Sequence, residues 1–182
     1  MTQQDLQPDE IRAVRMILDK EAIREKIFLY ARGVDRKDHD LLDGVYWPEA
    51  TDDHIAYRGD VAGFKAWLNE FAGEMLTTHF IGNIAIDLLG PTEAFSEAHV
   101  IGFHEYPGED GREDLVVGGR YLDRWEKRNG EWRLVDRIAT ADFQFKGKST
   151  ADWGGIFAGS TARGAAKPDD PLYRVWPAVA KA

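Results

Sequence analysis

The stretch that decides the fold runs from Gly118 to Arg137 and reads GGRYLDRWEKRNGEWRLVDR. At its centre, Asn129-Gly130 is a strong β-hairpin signal, because both central residues of a type I′ turn need positive φ angles. A two-residue turn at this point brings opposite charges and large apolar side chains together across the two strands, as stable cross-strand pairs require. The predicted pairs are Arg128–Glu131, Glu126–Arg133 and Trp125–Leu134.

Arg137 is the unusual residue of this hairpin. It shares a strand face with Val135, Ala139 and Ala141, so a long cation stands among small side chains. This pattern indicates a guanidinium that points into a space filled by something else. The alternative is an ion pair with a neighbouring carboxylate.

Working outward, hydrophobic periodicity predicts helices first and strands afterwards. Pro8, followed by Asp9 and Glu10, suits a helix N-terminus, and apolar residues then recur at helical spacing until about Gly33. From Thr77 the period changes to two, which is typical of strands. This order predicts an α+β fold, with helices packed on one side of a curved antiparallel sheet. The predicted segments are one long helix or two joined ones over 8–33, helices over 38–45 and 60–71, a short strand and turn over 51–59, and strands over 79–86, 94–106, 115–127 and 132–145.

Composition narrows the class of protein. A chain of 182 residues with 43% hydrophobic residues is most simply one folded domain. Its net charge of −9 and the lack of a basic stripe argue against nucleic acid and anionic membranes as partners. Cysteine is absent, which excludes disulfides and thiolate chemistry. The N-terminus is polar and no apolar stretch approaches membrane-spanning length, so we expect a cytoplasmic protein.

The last part of the chain differs from the rest. Residues 146–182 are richer in Gly, Ala, Asp and Pro, yet they contain four large aromatic residues. We predict an extended tail that packs on the domain or on a neighbouring subunit, with a disordered tail as the alternative. The aromatic residues that weigh against disorder, and that we expect to be largely buried, are Trp153, Phe157, Tyr173 and Trp176.

Three segments resemble the SnoaL-like proteins of the nuclear-transport-factor-2-like superfamily: IREKIFLYARGVD (23–35), TTHFIGN (77–83) and WRLVDR (132–137). The resemblance implies a cone-shaped domain over residues 1–145, in which a strongly bent sheet wraps about three helices and encloses an apolar pocket. It also implies a homodimer or homotrimer. Members of the superfamily include bile-acid 7α-dehydratase, scytalone dehydratase, hexachlorocyclohexane dehydrochlorinase, isomerases, cyclases and non-catalytic subunits, so the fold alone does not give the function.

The resemblance assigns an acid–base pair to Asp35 and His79, which stand where the eliminating members carry theirs. Such a pair suits proton abstraction from carbon, because imidazole titrates near neutral pH and a carboxylate can fix its tautomer. The alternatives are a solvated carboxylate after a helix and a hydrogen-bonded core histidine. Arg137 and Tyr30 match residues that would assist a departing oxygen. Arg137 could instead pair with Asp123 or Asp136, and Tyr30 converges with Asp35 only if the helix breaks at Gly33.

Four further residues are predicted to contact the substrate: Tyr121, His104, Asn83 and Val100. The resemblance directs both Tyr121 and Arg137 towards the pocket, whereas a regular two-residue hairpin places them on opposite faces. We therefore predict an irregular ladder with a β-bulge or a longer turn. Gly118-Gly119 is predicted to be a bulge or bend that lets the sheet curl.

Taken together, the residues and the resemblance predict a cofactor-independent lyase of the dehydratase type that acts on a hydrophobic cyclic molecule such as a steroid, terpenoid or polyketide. An isomerase or cyclase on the same pocket is the nearest alternative. A non-catalytic protein that binds a small apolar ligand is the other. No metal is expected, since Asp52, Asp53 and His54 have no second ligand cluster with recognisable spacing.

Overall fold

The computed structural model describes residues 6–71, 73–156, 158–159 and 162–176. The helices are α1 (Pro8–Asp35), a 3₁₀ helix (His39–Gly44), α2 (Val61–Phe71) and α3 (Leu172–Val175). The strands are β1 (Tyr46–His54), β2 (Tyr57–Asp60), β3 (Leu76–Leu88), β4 (Glu93–Gly108), β5 (Gly111–Arg128) and β6 (Glu131–Lys148). Helices followed by a curved sheet confirm the predicted α+β class. None of the described helices has the length and apolar character needed to cross a membrane.

Helix α1 begins at Pro8, as predicted, but Gly33 does not break it, and the helix continues to Asp35. Helix α2 begins after Asp60, whose Oδ1 accepts a hydrogen bond of 2.7 Å from the backbone N–H of Gly63. This contact satisfies one of the free donors in the first turn of the helix. Asp60 therefore caps the N-terminus of α2.

The six strands form one sheet in the order β2-β1-β6-β5-β4-β3. Neighbouring strands run antiparallel with one exception, because β1 lies parallel to β6. The parallel pair was not anticipated from the sequence. It aligns Asp52 with Arg137 and His54 with Ala139 on adjacent strands.

The central hairpin has both features that the sequence suggested. Arg128 pairs with Glu131 across a two-residue turn in which Asn129 and Gly130 have φ angles of 53° and 85°. The register then shifts at Val135, so that Trp125 pairs with Leu134 but Arg124 pairs with Asp136. This β-bulge confirms the predicted irregular ladder.

The bulge has two consequences for the inner face of the sheet. Arg137 pairs with Asp123, and Ala139 pairs with Tyr121, so Tyr121 and Arg137 share one face. A second shift, between Gly118 and Gly119, bends the same two strands and confirms the predicted irregularity at the glycine pair.

Aromatic side chains form most of the core between the helices and the inner face of the sheet. Tyr30 of α1 packs edge-on against Tyr46 and Tyr121, with ring centroids 6.2 and 5.5 Å away. Trp125 is fully buried, and its indole N–H donates a 2.8 Å hydrogen bond to Ser96. Aromatic packing with satisfied polar ends stabilises the closed end of the cone.

The end of the chain folds back onto the junction between α1 and the 3₁₀ helix. The buried carboxylate of Asp38 accepts 2.8 Å hydrogen bonds from Lys167 Nζ and Tyr173 Oη. Trp153 and Trp176 are about half-exposed in the single chain, at 47% and 51%, so the structure does not bury them within the chain as the sequence suggested.

The predicted tail boundary shifts slightly, because β6 continues to Lys148. Phe157 lies outside the described residues. Packing of the tail on a neighbouring subunit stays a prediction, as does the homodimer or homotrimer.

Gly119 is expected to be intolerant of any side chain. A Cβ atom there would lie 1.8 Å from the carbonyl oxygen of Thr140, so the backbone of β6 would have to move. Gly119→Ala should lower the free energy of unfolding in urea by about 1–3 kcal/mol or more. Gly147→Ala is the matched control, because a Cβ there meets no atom within 4 Å. Equal stability of the two variants would contradict this explanation of the bend.

Candidate active site

A cavity lies on the inner face of the curved sheet, at a place where several strand residues are small. Gly102 on β4, Gly119 on β5 and Ala139 on β6 line a cavity of about 170 Å³ between the sheet and α2. Trp67, Phe71 and Val100 contribute apolar walls. The polar side chains that line it are His54, His79, His104, Tyr121 and Thr140. A largely apolar cavity with a few polar groups is the usual form of a small-molecule site.

The predicted pair of Asp35 and His79 is in contact at this cavity. Nδ1 of His79 lies 2.6 Å from Oδ1 of Asp35, and Oδ2 accepts the backbone N–H of His79 at 2.9 Å. The hydroxyl of Thr77 donates to Oδ1 at 2.9 Å. Asp35 ends α1 and His79 lies near the start of β3, so the carboxylate reaches across from the helix to the strand.

The environment keeps the Asp35 carboxylate ionised. Burial raises the pKa of Asp35. The hydrogen bonds from His79, the charge of His79 and the hydrogen bond from Thr77 together lower this pKa by more, so the pKa lies below its ordinary value. In a neutral imidazole, an ionised carboxylate that accepts the proton of Nδ1 leaves the lone pair on Nε2. Nε2 has no hydrogen-bond partner in the described part of the chain, and His79 lines the cavity.

His104, predicted to contact the substrate, stands at the cavity wall at a right angle to His79, with ring centroids 5.8 Å apart. Its Nδ1 lies 3.2 Å from the carbonyl oxygen of Leu115, which can only accept, so Nδ1 carries the proton. Burial and the neighbouring His79 lower the pKa of His104 below its ordinary value. His104 is therefore neutral at pH 7 and presents Nε2 as a hydrogen-bond acceptor.

Arg137 and Tyr30 are not brought to the cavity surface. The guanidinium of Arg137 is fully buried beneath Tyr121 and donates to both carboxylate oxygens of Asp123 at 2.7 Å. It lies 4.1 Å from the ring centroids of both Tyr30 and Tyr121. The ion pair considered as the alternative is thus the one that forms, with Asp123 as the partner. Burial lowers the pKa of Arg137, but the Asp123 carboxylate outweighs this and holds the pKa above its ordinary value.

Of the three other residues predicted to contact the substrate, two line the cavity and one does not. Tyr121 and Val100 line the cavity as expected. Asn83 does not, because the β3–β4 register shifts between Ile81 and Ile84 and leaves Asn83 exposed. Tyr30 does not converge with Asp35, since the unbroken helix directs the two side chains to different sides.

His54 is a cavity residue that the sequence analysis considered only as a possible metal ligand. Its Nδ1 lies 3.3 Å from Oδ1 of Asp52, whose other oxygen accepts the hydroxyl of Tyr46 at 2.6 Å. Asp53 points the other way and pairs with Arg58. Strand alternation over Ala50, Asp52 and His54 was the signal that could have revealed this inward face.

The chain thus combines a bent sheet around helices with a histidine–carboxylate pair at an apolar cavity. Residues 15–138 match the SnoaL-like domain, and the chain belongs to that family. An uncharacterised protein of Mycobacterium tuberculosis is 27% identical over 137 residues, which cover 72% of this chain and 91% of the relative.

Two solved structures show the same fold. A protein from Novosphingobium aromaticivorans with the provisional name scytalone dehydratase is 21% identical, with a TM-score of 0.67, over 76% of this chain and 94% of the other. The type 3 hexachlorocyclohexane dehydrochlorinase of Novosphingobium barchaimii is 14% identical, with a TM-score of 0.66, over 77% of this chain and 99% of the other.

Breaking the ion pair beneath the cavity should be costly. Arg137→Met leaves the Asp123 carboxylate buried without its partner, which should lower the free energy of unfolding by about 3–5 kcal/mol. Adding Asp123→Leu should restore much of that loss. Arg120→Met is the control, because Arg120 pairs with Glu97 and Asp142 nearer the surface, where such pairs contribute about 0–1 kcal/mol. Urea unfolding measures all three, and an Arg137→Met protein as stable as the control would contradict the assignment.

His104 should make stability depend on pH. Its folded-state pKa lies below the unfolded value of about 6.5, so below that pH the unfolded chain binds the proton more readily. Wild-type stability should fall as the pH drops through this window, and His104→Gln should flatten the fall. Urea midpoints at pH 7.5, 6.5 and 5.5 measure this, with exposed His99→Gln as the control. Parallel curves for wild type and His104→Gln would refute the buried neutral state.

Proposed function

We propose that the protein is a cofactor-independent lyase that eliminates water, in the manner of a dehydratase, from a hydrophobic cyclic small molecule. The observation that carries this proposal is the 2.6 Å contact between His79 Nδ1 and Asp35 Oδ1, with Nε2 of the same ring left to an apolar cavity. The fold shared with proteins named as a dehydratase and a dehydrochlorinase supports it.

In this mechanism, neutral His79 removes a proton from a substrate carbon through Nε2. The imidazolium that forms is stabilised by the ionised Asp35, which also holds the ring in the orientation that exposes Nε2. The hydroxyl on the neighbouring carbon then leaves as the double bond forms. General acid–base help of this kind contributes about 10²–10⁴-fold, and positioning within the cavity supplies further acceleration.

The size of the cavity limits the reacting part of the substrate. A volume of about 170 Å³ lies below the roughly 300 Å³ at which pockets for drug-sized ligands begin. Apolar cavities of about 150 Å³ accept benzene. We infer that about one ring of the substrate enters, and that a steroid or polyketide would extend beyond the cavity. His104, with Nε2 as an acceptor, would bind a substrate hydroxyl.

Tyr30 and Arg137 receive a different role from the one their sequence positions suggested. Both lie beneath Tyr121, so they support the floor of the cavity rather than touch the departing oxygen. Tyr121 itself lines the cavity and would contact the ring of the substrate. An isomerase or cyclase would use the same His79 and Asp35, with the proton returned to a different atom.

The proposal predicts that elimination depends on both members of the pair. Asp35→Asn and His79→Gln should each reduce kcat/KM by about 10²–10⁴-fold, because one variant loses the orienting carboxylate and the other loses the base. The compounds to test are scytalone, hexachlorocyclohexane and 3-hydroxycyclohexanone, with product formation followed by chromatography. His99→Gln, on the outer face, is the matched control and should retain wild-type rates.

Three results would count against a lyase. Turnover that is indifferent to Asp35→Asn and His79→Gln would place the chemistry elsewhere. Movement of a double bond without loss of water or chloride would favour the isomerase. A ring compound that binds tightly, stays unchanged on incubation and binds Asp35→Asn equally well would favour the non-catalytic binding protein.

A further inference from the structure

The cavity contains a second histidine that faces a second carboxylate. His54 Nδ1 lies 3.3 Å from Oδ1 of Asp52, and the side chain of Asp52 is fully buried. Oδ2 of Asp52 is occupied by the hydroxyl of Tyr46 at 2.6 Å, so Oδ1 is the oxygen available to His54. Unlike the 2.6 Å hydrogen bond between His79 and Asp35, this contact is not a hydrogen bond, and neither His54 Nδ1 nor Asp52 Oδ1 has another partner among the described residues. Two buried polar atoms therefore face each other at the same cavity, where a small shift of either side chain would let them share a proton.

The orientation of His54 leaves one nitrogen for a ligand. Nδ1 is buried and faces Asp52, while the ring packs 5.2 Å from Phe64 and 5.7 Å from Tyr121 between centroids. Because the two nitrogens of an imidazole lie on opposite sides of the ring, Nε2 points away from Asp52. His54 lines the cavity, so Nε2 is the atom it presents there.

The charges around Asp52 favour an extra proton at this place. Strand register aligns Asp52 of β1, Arg137 of β6 and Asp123 of β5 in one row, and all three side chains are buried. The guanidinium is committed to Asp123 through two 2.7 Å hydrogen bonds. The row thus holds two carboxylates and one cation, and an uncompensated buried charge is strongly destabilising.

A proton on His54 balances this row. Tyr30 of α1 and Tyr121 of β5 also lie close to His54, and their hydroxyls stay protonated because burial raises the pKa of each. His104 of β4 faces the same cavity, and burial, His79 and His54 all lower its pKa, so it adds no competing charge at pH 7. Of the neutral side chains in contact with the row, His54 is the one that can accept a proton near neutral pH.

We propose that His54, charged and facing the Asp52 carboxylate, is the general acid that protonates the departing oxygen, which deepens and rests on the proposed lyase function. His79 takes the proton from carbon, the carbon–oxygen bond breaks, and Nε2–H of His54 gives its proton to the leaving hydroxyl, which departs as water. The substrate loses one H and one OH. The proton gained by His79 returns to His54 through solvent before the next turnover.

The charge state of His54 can be measured without knowing the substrate. Long-range ¹H–¹⁵N NMR of the imidazoles distinguishes an imidazolium, with two similar nitrogen shifts, from a neutral ring, with two widely separated shifts. At pH 7 the His54 signals, assigned through their loss in His54→Gln, should be those of an imidazolium. They should become those of a neutral ring in Asp52→Asn. A neutral His54 in the wild-type protein would overturn the proposal.

Leaving-group dependence tests the proton transfer itself. Hydroxide needs protonation to leave, whereas chloride does not. His54→Gln should therefore slow the dehydration of scytalone or 3-hydroxycyclohexanone by about 10²–10⁴-fold. Chloride loss from hexachlorocyclohexane should fall by a much smaller factor, so that the ratio of water loss to chloride loss falls, and His99→Gln should change neither reaction. Equal slowing of both reactions would show that His54 is only structural, and no slowing of either would exclude it from catalysis.

The two proposals fail in different ways. If Asp35→Asn and His79→Gln abolish elimination while His54→Gln does not affect water loss selectively, the lyase stands and the acid role of His54 is overturned. If elimination is indifferent to Asp35 and His79, the lyase itself fails, and the acid role fails with it. If the wild type turns over none of the three compounds, the NMR charge state of His54 and its response to Asp52→Asn decide the proposal.

Discussion

The buried contact between Arg137 and Asp123 is the constraint on which the rest of the inner face depends. A guanidinium with no exposed surface must have its charge compensated, and two 2.7 Å hydrogen bonds to one carboxylate do this only when both residues face inward. These bonds use Nε and Nη2 of Arg137, and Nη1 has no hydrogen-bond partner among the described residues. A regular hairpin from Asn129-Gly130 would place them on opposite faces. The β-bulge at Val135 removes that conflict and brings Tyr121 to the same face.

The buried ion pair and the tyrosines around it support the cavity from below, and they are not the groups proposed to react with the substrate. Tyr30 and Tyr121 enclose the guanidinium from two sides, and Tyr121 turns its other surface to the cavity. Gly102, Gly119 and Ala139 line the cavity above it. Small residues therefore bound the cavity over the buried ion pair, and a cavity of this kind can hold reacting groups in position.

Much of this could be predicted from the sequence. The hairpin turn, the irregular ladder and the contact between Asp35 and His79 follow from turn chemistry, strand parity and a family resemblance, and all three are present. Strand alternation predicts the face of the sheet on which a side chain lies. It does not predict whether that side chain lines the cavity or is buried beneath another residue. Arg137 was correctly directed inward, yet it lies beneath Tyr121 rather than beside a ligand. Asn83 was misplaced because a register shift at Ile81 is not visible in an apolar strand.

Strand alternation gives the inward face of His54, but its neighbours could not be predicted, for a topological reason. Its position next to Ala139, and that of Asp52 next to Arg137, depend on the parallel pairing of β1 with β6, which joins segments far apart in sequence. No local pattern encodes that pairing. Once it is known, the row of Asp52, Arg137 and Asp123 follows directly from the register.

The central claim is that a ring binds in the cavity with a carbon-bound hydrogen facing Nε2 of His79. A crystal structure of Asp35→Asn soaked with hexachlorocyclohexane or 3-hydroxycyclohexanone tests it most directly, because this variant should bind the ring without consuming it. We expect the ring between Trp67 and Val100, with one hydrogen-bearing carbon about 3–3.5 Å from Nε2. A ring bound on the outer face of the sheet, or inside the cavity with His79 turned away, would contradict the account.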